Sequence, residues 1–467
     1  MPFGPGSQRQ FADRAFSRTA GAPLVGGNDV RLLLDGRENY PAWLEAIAAA
    51  RSTVHFECYI IQDDPTGRRF ADALGERARA GVRVRLIYDW MGARGRTGRR
   101  FWKALREAGV EVRCFNPPRW DEPVGWLRRD HRKCLVADAT VAFVTGLCVG
   151  KEWEGNPQAG VEPWRDTGVS IRGPGVRDVA LAFADSWASM GAPVPDEDLP
   201  PEGTPGIAGE IPLRVVADTS GTAGAYRLDV LIAAIARSRL WLADAYYAGT
   251  PAYVQALSAA AKDGVDVRLL VPGEGSDIPV VQAYSRAGYR PLLEAGVRVF
   301  EWNGPMLHAK TAVADGRWSR VGSTNLNVAS WMGNRELDVV VEHEGFGAGM
   351  ETAYTADLAR ATEIVLARRR IRLAPGIEPP AERPRGRRGR ASRAAASAVR
   401  IGNTLGGSLT QRILGPAEAS LMAKAGLVLL LLVPVAILWP AVIAWPLAVL
   451  GLWFALALLV QAWRARR

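Results

Sequence analysis

Lysine is scarce in this chain. Six lysines (Lys103, Lys133, Lys151, Lys262, Lys310 and Lys424) stand against 52 arginines in 467 residues. Histidine and cysteine are scarcer still, at four each. The cysteines (Cys58, Cys114, Cys134 and Cys148) form no CxxC pair and fall in apolar, strand-like runs. That placement speaks against a zinc ribbon or a disulfide framework, and predicts reduced core thiols in a cytosol-facing protein. Residues 1–20 lack the apolar stretch of a secretory signal. No cluster of side chains has metal-ligand spacing, so neither a metal nor another cofactor is expected.

Positive charge is sparse where a nucleic-acid-binding body would carry it. The formal net charge is +10, but residues 376–467 hold twelve Lys and Arg against three acids, which leaves about +1 on residues 1–375. A nearly neutral body gives no broad phosphate-binding face, and no nucleic-acid partner is expected. Charge of either sign is absent from Ala425 through Val460. One helix of that length would span roughly 54 Å, beyond a hydrocarbon core of about 30 Å. Pro434, Pro440 and Pro446 interrupt the run, and basic residues flank both of its ends. The pattern predicts two short apolar helices forming a hairpin or re-entrant wedge, with both flanks cytoplasmic. Residues 376–422, rich in Arg, Ala, Gly and Pro, read as a tether drawn to anionic headgroups.

The body is duplicated. "LEAIAAARSTVHFECYI" (44–60) parallels "VLIAAIARSRLWLADAY" (230–246), each a helical pattern followed by a β-rich run. "RARAGVRVRLIYD" parallels "SAAAKDGVDVRLLVP", with Gly81 or Gly264 ending a helix before an alternating strand. "LREAGVEVRCFNP" and "LLEAGVRVFEWNG" repeat the scheme. Alternating helix and strand predicts an α/β sheet covered by helices in each half. The expected division is an extension over 1–24, repeats over 25–190 and 211–375, and a linker over 191–210. A basic tether over 376–422 and a helical membrane segment over 423–467, a hairpin or a single tilted span, follow. Two copies of one domain associate most simply about a pseudo-twofold axis.

Each series closes on the same motif: "HRKCLVAD" from His131 and "HAKTAVAD" from His308. Two of the six lysines, Lys133 and Lys310, stand two residues after these histidines, in a chain that otherwise prefers Arg. A compact ammonium is wanted there rather than a guanidinium fork. In an extended segment, residues two apart share a face, so each His/Lys pair points into a common pocket. Two imidazoles and two ammoniums suit a phosphodiester: the lysines offset the charge that builds in the transition state. One imidazole attacks phosphorus and holds a covalent intermediate, while the other protonates the leaving alkoxide and then deprotonates the incoming alcohol. A single histidine cannot be nucleophile and acid at once.

This duplication, its spacing and the Gly322-Ser323-x-Asn325 element resemble the phospholipase D superfamily, and within it the bacterial cardiolipin synthases. The resemblance covers roughly residues 28–350, carried by "RLLLDGRENY", "FECYIIQDDPTG", "HRKCLVADATVAFVTG", "WRDTGVSIRGPGV" and "GSTNLN". It implies two tandem α/β/α sandwich repeats. It also implies a catalytic set of His131, His308, Lys133, Lys310, Asp138 and Asp315, with His131 as nucleophile and His308 as acid/base. The two aspartates of that set are expected to hold strand and loop rather than act chemically. Ser323 and Asn325 would add hydrogen bonds to phosphate. Asp166 and Glu336 occupy matching places in the halves, where each could fix an imidazole tautomer. In the first half Thr145, Gly146 and Cys148 stand opposite Gly322, Ser323 and Asn325, and a thiol is a weaker donor to phosphate than an amide.

The expected substrate is phosphatidylglycerol, and the expected setting a bacterial inner membrane with the body cytoplasmic. Hydrolysis of phospholipid by the same site is the alternative. The oligomeric state stays open. The loop over 116–130 mixes Trp120, Trp126 and Leu127 with Arg119, Arg128 and Arg129, and is expected at headgroup level beside the site. His55 is expected in the core and His343 at a strand end.

Overall fold

The computed structural model describes residues 14–119, 127–367 and 370–373, with eight further helical positions between 445 and 456. The chain divides into a body (1–117 and 126–378) and a second unit (118–125 and 379–467). The tether, Trp120 and Trp126, and most of the apolar run lie outside the described residues. Among the described residues no helix is long and apolar enough to cross a membrane.

The body is a mixed α/β fold. Its first half supplies β1 (Val25–Leu34), β2 (Thr53–Cys58), β3 (Arg83–Asp89), β4 (Glu111–Phe115), β5 (Lys133–Ala137), β6 (Val141–Thr145) and β7 (Thr167–Arg172). The second supplies β8 (Ile211–Asp218), β9 (Arg239–Ala243), β10 (Asp266–Pro272), β11 (Arg298–Trp302), β12 (Thr311–Ala314), β13 (Trp318–Gly322) and β14 (Glu336–Glu342), followed by β15 (Ala361–Ala367) and β16 (Arg370–Leu373). Along the sheet the order is 16-15-11-10-9-12-13-14-8-1-7-6-5-2-3-4. The first half's order therefore reappears reversed in the second, with β1 and β8 antiparallel at the junction. In each half three parallel strands (β2–β4, β9–β11) adjoin an antiparallel set.

Burial explains the sequence pattern. Every residue of β2, β5 and β6 is buried, so those strands read as continuous apolar runs rather than alternating ones. Outer helices such as Asp35–Ala49 and Pro65–Arg79 cover one face of the first half, and Gly224–Ile235, Pro251–Lys262 and Pro279–Glu294 cover the second. Helices Gly175–Ala188 and Glu344–Leu358 enter a central cluster fed by strands of both halves, including Val144, Leu213 and Val339. The helix at 65–79 starts on Asp64, whose carboxylate accepts the Gly67 N–H at 2.8 Å, with Pro65 in the first turn. Gly81 and Gly264 take φ of +90° and +93°, which ends their helices as the sequence predicts.

His55 is buried in the core, stacked on Phe183 with centroids 4.7 Å apart. His343 follows β14 and caps the next helix by accepting the Phe346 N–H. All four thiols are unpaired, three of them buried. Within the expected linker, Asp198 is tied back to Arg85 at 2.7 Å.

Candidate active site

Within each half the strand pairing brings the ends of the parallel strands to the same edge as the starts of the antiparallel ones (β2 and β3 with β5 and β7, β9 and β10 with β12 and β14), and the bridges Asp130–Arg335 and Arg165–Leu307 join the two into one catalytic edge. Both His-x-Lys segments lie on that edge, just ahead of β5 and β12. Each is pinned by the opposite half. The His131 N–H donates to the Arg335 carbonyl at 2.9 Å, and the His308 N–H donates to the Arg165 carbonyl at 2.7 Å. Arg335 and Arg165 directly precede the carboxylates Glu336 and Asp166, and those carboxylates take the imidazoles themselves.

Nδ1 of His131 lies 2.9 Å from Oε2 of Glu336, and Nδ1 of His308 lies 2.6 Å from Oδ2 of Asp166. Glu336 is further held by Ser323 Oγ (2.6 Å) and Asn334 Nδ2 (3.0 Å). Ser323 was expected on phosphate, but its hydroxyl proton goes to Glu336, while its oxygen accepts the Leu337 N–H at 2.9 Å. Gly146 occupies the matching place in the first half because Asp166 lies against it: a Cβ there would meet Oδ1 at 2.2 Å. Asn325 is buried with its Nδ2 3.4 Å from Ser330 Oγ and its Oδ1 without a partner.

Each lysine turns back on its own histidine, donating from Nζ to the carbonyl of His131 or His308. The Tyr59 ring packs edge-on against His131 (5.0 Å) with Lys133 Nζ 5.2 Å from its centroid. Tyr246 does the same for His308 (5.9 Å) and Lys310 (5.9 Å). His and Lys thus share a face in both halves. His308 has additional aromatic walls in Trp153 and Trp164, at 5.4 and 5.7 Å. Lys310 Nζ also lies 2.9 Å from Nδ1 of His308. A nitrogen that donates to Asp166 cannot accept from Lys310 as well, so the shorter contact to the ionised carboxylate sets the tautomer.

The electrostatics join the halves into one site. Burial, the Lys310 charge and then the Lys133 charge hold His308 well below the usual imidazole range. His131 is also lowered, chiefly by burial, with Glu336 working against the shift. Burial would raise Glu336, but His131, Lys133 and Ser323 outweigh it and keep it below the usual carboxylate value. Asp166 is pushed up by burial to about 6 despite Lys310. Burial lowers the Lys310 ammonium to about 8. Among the described residues no group of three or more His, Cys, Asp or Glu is placed to hold a metal ion.

Asp138 and Asp315 lie at the other ends of β5 and β12, away from the imidazoles. Asp138 accepts the N–H groups of Arg51, Ser52 and Thr53 at 2.7–2.9 Å. Asp315 accepts those of Arg237, Ser238 and Arg239 at 2.8–2.9 Å. Both take a left-handed backbone (φ 49° and 51°), which a short polar residue tolerates. Residues not anticipated from the sequence are Tyr59, Tyr246, Trp153 and Asp244. Asp244 accepts the Leu326 N–H at 2.8 Å, and burial pushes it to about 7 against that bond and Lys310. It stands where the first half has Cys58, since Cys58 pairs with Lys133 in register and Ala243 with Thr311.

A family model described as cardiolipin synthase, PLD-like domain, matches residues 43–151 and 231–358. Cardiolipin synthase A of Pseudomonas aeruginosa (strain LESB58) is 33% identical over 357 residues, covering 75% of this chain and 71% of that protein. The cardiolipin synthase of Alkalihalophilus pseudofirmus is 30% identical over 365 residues, 77% of this chain and 72% of its own. Among solved structures, phosphatidylserine synthase of Haemophilus influenzae Rd KW20 matches with a TM-score of 0.60 at 13% identity, over 75% of this chain and 91% of that one. At that identity the likeness speaks for the fold alone.

Proposed function

The chain belongs to the cardiolipin synthase family with its phospholipase D-like domains, and from that membership we propose a two-step phosphatidyl transfer at the paired His/Lys site. The protein is a phosphatidyltransferase of cardiolipin-synthase type. Its proposed donor and acceptor are both phosphatidylglycerol.

In the first step Nε2 of His131 attacks phosphorus, the bond from phosphorus to the glycerol oxygen breaks, and that oxygen takes the Nε2 proton of His308 in its imidazolium form, which the negative charge of the bound phosphate favours over the free site. In the second step His308 takes the proton from a hydroxyl of the second phosphatidylglycerol, whose oxygen displaces His131 from phosphorus. Cardiolipin and glycerol are the products. Lys133 and Lys310 carry the phosphate charge through both transition states. The observation that supports this reading is the exchange of carboxylates. Each imidazole has Nδ1 engaged by an acid of the other half, which leaves Nε2 of both free for phosphorus and proton. Glu336, the more firmly ionised of the two acids, suits His131 to the nucleophile's part. Asp166, Glu336 and Ser323 act in this scheme by orienting imidazoles, and Asp138 and Asp315 by anchoring strands.

The two halves are read as related by a pseudo-twofold axis through the β1–β8 junction. The body is placed at the cytoplasmic face of a bacterial inner membrane, held through the arginine-rich residues 376–422 to the apolar segment beyond them. The test is to incubate the purified protein with labelled phosphatidylglycerol in vesicles. Cardiolipin with glycerol is expected, and both vanish in His131→Ala and His308→Ala. Phosphatidic acid alone would replace transfer by hydrolysis.

A further inference from the structure

Large apolar side chains left in solvent on the catalytic body are not scattered. Nine are exposed among the described residues of the body. Five of them stand on segments that run directly into the site: Leu127, Val161 and Ile278 on connections, Val328 and Met332 at the start of and within the short π-helix Ala329–Gly333. Leu127 is four residues before His131, Val161 five before Asp166, and Met332 four before Glu336. Val328 is three after Asn325 and follows Asn327, whose amide donates to the Tyr246 carbonyl at 2.9 Å. Ile278 follows Asp277, which accepts the Tyr246 hydroxyl at 3.0 Å. All five therefore lie along the sheet edge that carries both histidines.

The same edge carries unpaired positive charge. Beyond the end of β3, Arg94, Arg96, Arg99 and Arg100 are exposed, and none is ion-paired with a described residue. The loop that bears Arg94 and Arg96, and leads into the helix Arg99–Glu107 that Arg99 and Arg100 open, is fixed to the site. The Asp63 N–H donates to the Arg96 carbonyl at 3.2 Å, and the Thr97 hydroxyl to the Ile61 carbonyl. Both partners lie just past Tyr59, the ring against His131. Of the nearby acids, Asp63 pairs with Arg68, Glu154 with Arg69 and Glu162 with Arg360, while Glu274 acts on Arg286, and Asp277, beside Ile278, holds the Tyr246 hydroxyl and faces Arg96. Exposed apolar side chains interleaved with exposed arginines, of which Arg94 lies over the Trp90 ring at 5.2 Å, are the composition of a surface that enters an anionic lipid interface, each arginine there gaining about fivefold in affinity.

We propose that the catalytic edge of the body, through Val328, Met332, Ile278, Val161 and Leu127 and the arginines 94–100, docks on an anionic bilayer. The partner is the lipid surface itself, so the substrate is drawn from the leaflet into the site without passing through water. This contact is separate from any made by residues 376–467. It rests on the proposed phosphatidyl transfer only for the identity of the lipid.

The test uses the full chain with Cys114, the one partly exposed thiol, replaced by Ser. An environment-sensitive dye is attached at Val328→Cys, or at Ile207→Cys on the opposite sheet edge, where Ile207 is 84% exposed. Phosphatidylglycerol vesicles are expected to shift the dye at 328 to the blue and leave that at 207 unchanged. The shift should shrink with phosphatidylcholine vesicles and with Arg94, Arg96, Arg99 and Arg100 changed to Gln. Equal responses at the two positions, or none at 328, would overturn the proposal. So would a shift without vesicles that grows with protein concentration, which would assign the face to a second copy of this chain. The dye needs no turnover, so failure of the transfer reaction is seen separately. As a functional arm, Met332→Asn should lower turnover of vesicle lipid several-fold and spare water-soluble short-chain phosphatidylglycerol. Equal effects on both substrates would count against docking.

Discussion

Oε2 of Glu336 lies 2.9 Å from Nδ1 of His131, a residue 205 positions earlier in the chain. The mirror contact, Asp166 to His308, spans 142 positions in the other sense. Neither half holds a finished site. Each provides the imidazole and lysine of one pair and the carboxylate that orients the other's imidazole. The duplication thus explains more than the count of histidines, because a single copy would leave its own imidazole unoriented.

From this exchange comes a first prediction. Glu336→Gln keeps the shape but removes the charge that favours the productive His131 tautomer and stabilises its charged form. Turnover should fall on the order of a hundredfold or more, with KM changed little. Asp166→Asn should do the same through His308. Steady-state kinetics on phosphatidylglycerol vesicles would check both, and a loss confined to KM would show that these acids meet substrate instead.

The motif aspartates make the opposite prediction. Asp138 and Asp315 each close a turn over three backbone N–H groups at the sheet edge away from the histidines. Asp138→Ala or Asp315→Ala should cost about 1–3 kcal/mol of stability by removing three bonds to one carboxylate, water taking over the exposed donors. Turnover per folded molecule should remain within a few-fold of the parent. Urea unfolding and activity of the folded fraction separate the two effects.

These contrasts mark what the sequence could and could not disclose. His131, Lys133, His308 and Lys310 were legible because lysine is rare and the spacing recurs. The repeat order was legible because the helix and strand periods recur with it, and Gly81 and Gly264 mark the same boundary. That Asp166 and Glu336 match in position was also visible. That each serves the histidine of the other half was not, since equivalence in a repeat does not say which copy a side chain faces. Ser323 looked like a phosphate ligand because a hydroxyl is a donor in any setting, and only its 2.6 Å contact shows where that proton goes. Tyr59 and Trp153 escaped because aromatic residues in strand-like or helical runs read as core.

The depressed imidazoles set a pH dependence. Burial chiefly lowers His131 in the free protein, so it stays neutral and nucleophilic to below the ordinary value of about 6.5. The acid limb of kcat/KM should lie below that value. Glu336 opposes the lowering, so removing its charge should move the limb further towards acid. A pH profile of kcat/KM for the parent and Glu336→Gln would show this, and an alkaline displacement of the limb would contradict it.

The last prediction concerns the asymmetry between halves. Cys148 stands in register with Asn325, as Cys58 does with Asp244. Burial raises the Cys148 thiol, but the hydrogen bond from Cys58 and the charge of Lys133 outweigh it and bring it to about 7. As pH rises through that value a thiolate forms beside the lysine meant for phosphate. The acid form suits substrate binding, so KM for phosphatidylglycerol should climb between pH 6 and 8 in the parent. Cys148→Asn puts a neutral amide donor in that place, as in the second half. The variant should bind phosphatidylglycerol a few-fold more tightly at pH 8 and lose most of the climb. An unchanged KM profile would show that this thiol does not bear on the bound phosphate.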